Sequence, residues 1–188
     1  MDHETIEKLA AKAKSGDRKA FGKIVRLMMN KIVALTYRMT GDRESAYDLA
    51  QDTFLAVWEN LKSFRGEASF SSWLYRIASN KTLNYLNSPS VKKKVPSNRV
   101  EQVTDELIST DPNPEQILNN KLLYNDMLTF MGKLPSQQRL VFEFRFYEGL
   151  PFNEIARLMN KAEGTVKTHY RQAVIKLREY VVKKGWQS

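Results

Sequence analysis

Hydrophobic positions recur at spacings of three and four along most of the chain, the period of a helix that buries one face. No segment holds a strand's period of two for long, so the pattern predicts an all-α protein. The punctuation sets the boundaries. Gly16 ends a first helix, and Asp17 can cap a second that runs to about Met39. Thr40-Gly41-Asp42 is a stop followed by a cap, and a third helix runs to about Lys62. Arg65–Ser69 is a loop, and a fourth helix runs from about Phe70 to Asn87, where Ser88-Pro89 stops it. Further on, Leu134-Pro135-Ser136 opens a helix that Gly149 closes. Pro151-Phe152-Asn153 starts a short helix ending near Met159, and Asn160–Gly164 is a turn before a last helix from about Thr165 to Val182.

Between these helical blocks the character of the chain changes. Residues 89–120 hold four of the six prolines and carry a net charge of −1, against +4 for residues 1–88 and +6 for residues 121–188. Within that segment Glu101–Glu115 has five acids and no base. Proline density and charge reversal mark a linker. The expectation is two small helical domains, 1–88 and 126–188, joined by a flexible, partly acidic linker over 89–125.

Composition narrows the classes. At 188 residues the chain has room for one medium domain or two small ones, and its 42% hydrophobic content is ordinary. A formal charge of +9 suits a polyanionic partner, or an anionic membrane surface. The absence of cysteine excludes disulfides, iron–sulfur clusters and thiolate zinc sites. With His3 and His169 as the only histidines, no metal site and no cofactor are expected. The acidic N-terminus lacks the apolar core of a signal peptide, and no apolar run approaches the roughly 18–20 residues needed to span a bilayer. A cytoplasmic protein without membrane insertion is expected.

Some faces carry residues that burial does not explain. On a wheel of Arg43–Lys62, Ala46, Ala50, Thr53, Val57 and Leu61 form the core stripe. The opposite side holds Asp48, Gln51, Asp52 and Glu59, with Leu55 among them and Trp58 at the margin. An apolar anchor with a charged rim is how a protein-binding face is built. A solvated face with Trp58 folded into the core fits the same pattern, and spacing leaves both open. In Phe70–Asn87 the core side is Phe70, Leu74, Ile77 and Tyr85, while Trp73, Arg76, Asn80 and Asn84 share another stripe. These side chains can stack on bases and bond their edges. Spacing alone favours the plainer reading, with Trp73 packed inside and the polar residues in water. The loop before this helix, Phe64–Ser69, could hold an extruded base.

Tyr147–Leu177 reads as a helix-turn-helix with a basic second helix. On that helix Val166, Tyr170, Ala173 and Leu177 face inward, while Lys167, Thr168, Arg171 and Gln172 face outward in the first two turns, the part that enters a major groove. Arg171 suits guanine, Gln172 suits adenine and Thr168 either base, whereas Lys167, Lys176 and Arg178 fit phosphate contacts. No glycine-rich phosphate loop or G-x-S-x-G elbow is present, so neither an enzyme nor a small-molecule substrate is indicated.

The two blocks and their order resemble the extracytoplasmic-function group of bacterial RNA polymerase sigma factors, within the sigma-70 family. The resemblance spans Ser15 to about Tyr180. It is carried by G-D-R-K-A-F at Gly16–Phe21, D-L-A-Q-D-T-F at Asp48–Phe54 and S-F-R-G-E-A-S-F-S-S-W-L-Y-R-I-A-S-N at Ser63–Asn80. It continues with L-P-S-Q-Q-R at Leu134–Arg139, E-G-L-P-F-N-E-I-A at Glu148–Ala156 and E-G-T-V-K-T at Glu163–Thr168.

The resemblance implies three surfaces. Asp48, Gln51, Asp52, Leu55, Trp58 and Glu59 would dock on the clamp of the largest subunit of core RNA polymerase. Phe64, Ala68, Ser69, Phe70, Trp73, Arg76, Asn80 and Asn84 would melt and capture the promoter's −10 element. Thr165, Lys167, Thr168, Arg171, Gln172, Lys176 and Arg178 would read the −35 element as duplex. The linker would thread toward the polymerase's active-site and RNA-exit channels. An anti-sigma factor and a stress response, in the envelope or elsewhere, are implied as well, and no fused sensor is expected after Ser188. The chain departs from the family at Asn87–Ser90, which delays the Lys92–Lys94 run. It departs again at His169–Val174, so the −35 sequence read is expected to differ. The alternative is a free-standing helix-turn-helix regulator, for which the upstream block shows no ligand pocket or dimer seam.

Overall fold

A computed structural model describes residues 3–92 and 114–185, and among them it is helical with no strand. The first block comprises α1 (His3–Lys14), α2 (Arg18–Thr40), α3 (Arg43–Asn60), a single 3₁₀ turn at Leu61–Ser63 and α4 (Phe70–Asn87). A four-residue helix, α5 (Pro89–Lys92), follows. The second block comprises α6 (Pro114–Lys133), α7 (Ser136–Phe142), a widened π turn at Glu143–Tyr147, α8 (Phe152–Met159) and α9 (Glu163–Lys183). Helix α6 begins inside the stretch that the sequence assigns to the linker. Residues 93–113 of that stretch, and the side chains of the Lys92–Lys94 run, lie outside the described residues.

The predicted punctuation appears as hydrogen bonds. Asp17 accepts from the amides of Lys19 and Ala20 at 2.9 and 3.0 Å, which satisfies donors that a helix start leaves unpaired. Gly41 takes a left-handed φ of 72° and closes α2 through its amide to Tyr37. Asp42 then caps α3 by accepting from the Ser45 amide at 2.8 Å.

Packing follows the stripes. Helix α2 buries Ile24, Met28, Ile32, Leu35 and Met39, and α3 buries Ala46, Ala50, Thr53 and Val57 against it, with Leu61 of the following 3₁₀ turn also buried. Two alanines on α3 permit close approach, and the Thr36 hydroxyl donates across the gap to the Ala46 carbonyl at 2.9 Å. The second block centres on Phe130, Met131, Leu134, Phe142 and Ala173, with Tyr170 and Leu177 packed against them.

The wheel of α4 is wrong in one respect. Ile77 and Tyr85 are only half-buried, while Tyr75, Ala78, Ser79 and Thr82 are buried. For Tyr75 the cause is the second block, whose Glu148 and Phe144 pack on it. Leu140, Val141, Phe144, Ile155 and Leu158 belong to the same buried cluster as Ile24, Leu74 and Tyr75. Helix α6 adds Leu128 against Tyr37 and Ala46.

At the centre of this seam Glu143 is 0% exposed. Both of its oxygens accept from Arg38 Nε, at 2.9 and 2.8 Å, and Arg38 Nη2 adds a further bond. Arg38 also lies 3.6 Å from Glu148 and 4.1 Å from the Tyr147 ring centroid. Burial pushes the Glu143 carboxyl up to about 7, against the pull of Arg38. Burial also opposes the Arg38 charge, but Glu143 outweighs it and raises the guanidinium above its ordinary value. Nearby, Arg139 Nη1 donates to the Met39 carbonyl, and burial brings Arg139 down to about 10.

Removing one member of a buried pair strands the other, at about 3–5 kcal/mol, whereas an apolar replacement of both is often neutral or better. Arg38→Met is therefore expected to weaken docking of the blocks by about that amount, and Arg38→Met with Glu143→Leu to recover most of it. Urea unfolding of the full chain checks both.

Candidate polymerase and promoter interfaces

The outer face of α3 is as the wheel places it. Asp48, Gln51, Asp52 and Glu59 are exposed, and Leu55 stands among them at 62% exposure. Trp58 resolves differently. It is half-buried, with its ring 4.9 Å from that of Phe21 on α2, so it supports the face from the α2–α3 seam and offers only an edge. Asp52 leans toward Lys81 of α4 at 3.9 Å.

The loop before α4 is held from several sides. Ser69 caps α4 by accepting from the Ser72 amide at 3.1 Å, so its hydroxyl already has a structural task. Glu7 of α1 accepts from the Phe70 amide at 2.6 Å, and Lys14 donates to the Phe64 carbonyl at 2.6 Å. The Phe64 and Trp73 rings lie 4.9 Å apart and tilted by 32°, and both pack on Phe70, which is fully buried beneath them. Phe70 can thus act at this site only as a support. Phe64, Ala68, Ser69, Trp73 and Arg76 line a cleft of about 480 Å³. Arg76, Asn80 and Asn84 continue from it along the exposed side of α4. The structure therefore combines the two readings of that stripe, since Trp73 packs inward and the polar three face solvent.

Helices α8 and α9 meet at Asn160, whose left-handed φ of 51° makes the turn and whose amide donates to the Ala156 and Arg157 carbonyls. Helix α9 starts two residues earlier than the expected Thr165. Thr165, Lys167, Thr168, Arg171, Gln172, Lys176 and Arg178 are all exposed on it. Several already have partners. Lys167 pairs with Glu163 at 2.6 Å, and Thr168 donates to the Gly164 carbonyl at 2.9 Å. Gln138 of α7 donates to Gln172 at 2.6 Å and accepts from Lys176 at 2.9 Å. Arg171 and Arg178 make no hydrogen bond or ion pair among the described residues. Burial, then the nearby Lys161 charge, lowers the His169 imidazole, so this basic helix carries a neutral ring there at pH 7.

Sequence reasoning missed the residues that position these surfaces. Glu7 and Lys14 latch the loop from a helix that carries no motif. Arg38, Tyr75, Glu143, Glu148 and Glu154 join the blocks, and each pairs across a long stretch of chain. One signal was available: Glu143 stands alone inside the apolar run Leu140–Phe144. Among the described residues no cluster of three or more His, Asp or Glu could hold a metal, and no helix is long and apolar enough to cross a membrane.

Comparison with known proteins matches the two blocks in order. Residues 24–90 match the family model of sigma-70 region 2, and residues 124–177 that of sigma-70 region 4. The ECF RNA polymerase sigma factor SigW of Bacillus subtilis is 31% identical over 93% of this chain and 95% of its own length. The ECF RNA polymerase sigma-E factor of Escherichia coli is 30% identical over 90% of each chain. Two solved structures share the fold. CnrH, in complex with the cytosolic domain of CnrY, has a TM-score of 0.68 at 24% identity, covering 97% of this chain and 99% of that one. The sigma factor RpoE of Bartonella quintana, in complex with the anti-sigma factor NepR, has a TM-score of 0.65 at 21% identity, covering 87% of this chain and 97% of that one.

The Glu7 latch is testable by amide exchange. A lost hydrogen bond to a charged group costs about 1.5–3 kcal/mol, so Glu7→Ala is expected to raise exchange at the Phe70 amide by roughly ten- to a hundredfold. Hydrogen exchange read by NMR checks it, with amides in the middle of α2 unchanged.

Proposed function

We infer the working role of each surface from one premise: the chain belongs to the extracytoplasmic-function RNA polymerase sigma factors of the sigma-70 family. It is a non-enzymatic transcription initiation factor whose partners are core RNA polymerase and promoter DNA. The observation that carries this function is the pairing of region 2 with region 4, in that order, on the two helical blocks. A free-standing helix-turn-helix regulator would leave the first block without a task.

The exposed Leu55, ringed by Asp48, Gln51, Asp52 and Glu59 and backed by Trp58, is the polymerase-docking face. It joins a desolvated apolar anchor to a polar rim. The cleft of Phe64, Ala68, Ser69 and Trp73 over Phe70, with Arg76, Asn80 and Asn84 beside it, captures the −10 strand. An aromatic wall suits an unstacked base, and amide side chains suit its edges. On α9, Arg171 reads a base. Lys167, Lys176 and Arg178 hold phosphates, and Thr165, Thr168 and Gln172 complete the −35 surface once Gln138 releases Gln172. A factor that acts on RNA polymerase would work in the bacterial cytoplasm, which supports that location for this protein. An anti-sigma factor, like the one bound to the Bartonella neighbour, would hold it inactive until a stress, in the envelope or elsewhere, releases it.

In vitro transcription with core polymerase on a randomised promoter library tests the reading and returns the promoter sequence. Leu55→Asp is expected to abolish copurification with core, and a folded variant that still copurifies would remove the docking assignment. Arg171→Ala should relax preference at one or two −35 positions, by about 1–3 kcal/mol per lost base contact. A loss spread evenly over all sequences would make Arg171 a phosphate contact instead. Asn80→Ala should reduce permanganate reactivity in the −10 region while leaving −35 binding intact.

A further inference from the structure

Helix α7 packs across α9. Its Phe142 is buried in one cluster with Ala173, and the Phe142 ring lies 6.1 Å from that of Tyr170. Gln138 is one turn earlier on α7 and shares the face of Phe142, so it reaches the surface beside α9. There it bridges two exposed side chains that are themselves one turn apart. Lys176 Nζ donates to Gln138 Oε1 at 2.9 Å, and Gln138 Nε2 donates to Gln172 Oε1 at 2.6 Å. The first member sets the direction of this chain of bonds. An ammonium can only donate, so the Gln138 atom that meets it is the carbonyl oxygen. The Gln138 nitrogen is thereby turned to Gln172, which meets it with its own oxygen.

Gln172 stays exposed in this arrangement, with its oxygen turned toward α7 and its NH2 group left to offer. In the major groove guanine O6 and thymine O4 accept, whereas adenine N6 and cytosine N4 donate. A carbonyl can take the NH2 group while the Gln138 bond stays in place. The two-ended grip on adenine needs the oxygen as well, so it requires release of Gln172 and forfeits that bond. We propose that Gln138 is a specificity-determining residue of the −35 surface: through the Lys176–Gln138–Gln172 relay it presents Gln172 to the groove as a donor and so favours a base that shows a carbonyl over one that shows an amine. The proposal rests on the assignment of Gln172 to −35 DNA. Gln138 itself touches no base and acts by positioning.

Reversing the relay tests it. In Gln138→Glu the new carboxylate still accepts from Lys176 but has no proton to donate. Gln172 must then turn its NH2 group inward and its oxygen outward. Full-length variants are assembled with core polymerase and selected on the randomised promoter library, and Gln172→Ala marks the −35 position concerned as the one it relaxes. At that position Gln138→Glu is expected to prefer the base pair with carbonyl and amine exchanged between the strands, by roughly three- to tenfold. Gln138→Leu, which can neither donate nor accept, is expected to bring the two arrangements within about twofold of each other. Lys176→Met leaves the Gln138 amide free to turn over, and is expected to weaken the same preference on top of an even loss of affinity. An unchanged base preference in Gln138→Glu overturns the proposal, and so does a loss of affinity spread evenly over all sequences, which would make Gln138 merely structural. If Gln172→Ala relaxes no position, the assignment of Gln172 to −35 DNA fails and takes the proposal with it. If Gln172→Ala relaxes a position that Gln138→Glu leaves unaltered, only the relay is rejected.

Discussion

A carboxylate sealed from water holds the two halves of this molecule in register. Glu143 has no solvent exposure, and a single guanidinium from the other block, hydrogen-bonded to both of its oxygens, offsets part of the cost of burying it. A buried charge of that kind tolerates little sliding, since moving either block strands Glu143 or Arg38 in an apolar seam. Much of the surrounding geometry follows. The π turn at Glu143–Tyr147 places Glu143 and Tyr147 on the same guanidinium, and Glu148 comes within 3.6 Å of it. Tyr75 is buried by the same contact. With Glu148 beside it, its hydroxyl is held well above the usual phenol range and remains a donor. The apolar partners, Leu140, Val141, Phe144 and Ile155, supply affinity for which the ion pair supplies only position.

That division of labour decides which surfaces the docked form leaves available. The seam uses the side of α4 that carries Ser72 and Tyr75, so the stripe of Arg76, Asn80 and Asn84 stays exposed at its edge. The exposed face of α3 around Leu55 and the outer face of α9 take no part in the seam. The cleft of Phe64, Trp73 and Arg76 has walls from both blocks, and so access to it depends on their separation.

Local signals in the sequence were strong and proved sound. Asp17, Gly41 and Asp42 each write a helix end through a bond within a few residues, so these helix boundaries of the first block could be read from the chain. The exposed Leu55 and the outward α9 residues were legible for a similar reason, since one helix's periodicity sorts its own faces. What could not be read is what another element does to a face. Nothing near Trp58 announces that Phe21 will take its ring, and nothing near Ser69 shows that its hydroxyl is spent on the cap. Tyr75 has no place on the predicted core side of α4, because its cover lies about seventy residues away. Glu143 was the exception, a lone acid in an apolar run whose partner the sequence does not name.

An apolar seam alone would have joined the blocks as firmly, and the choice of a buried ion pair has a functional logic. Apolar contacts are indifferent to register, so a seam of leucines would tolerate several docked arrangements and would bind tightest in whichever buried most area. An Arg–Glu pair selects one arrangement, yet its desolvation cost cancels much of its own attraction and limits the total strength. Once separated, Arg38 and Glu143 recover hydration that Leu140 or Ile155 cannot. The open form is therefore less penalised than it would be across a wholly apolar interface of equal area. A sigma factor must span two promoter elements, and docking that is specific but not strong leaves that extended state within reach of the binding free energy that polymerase and DNA supply.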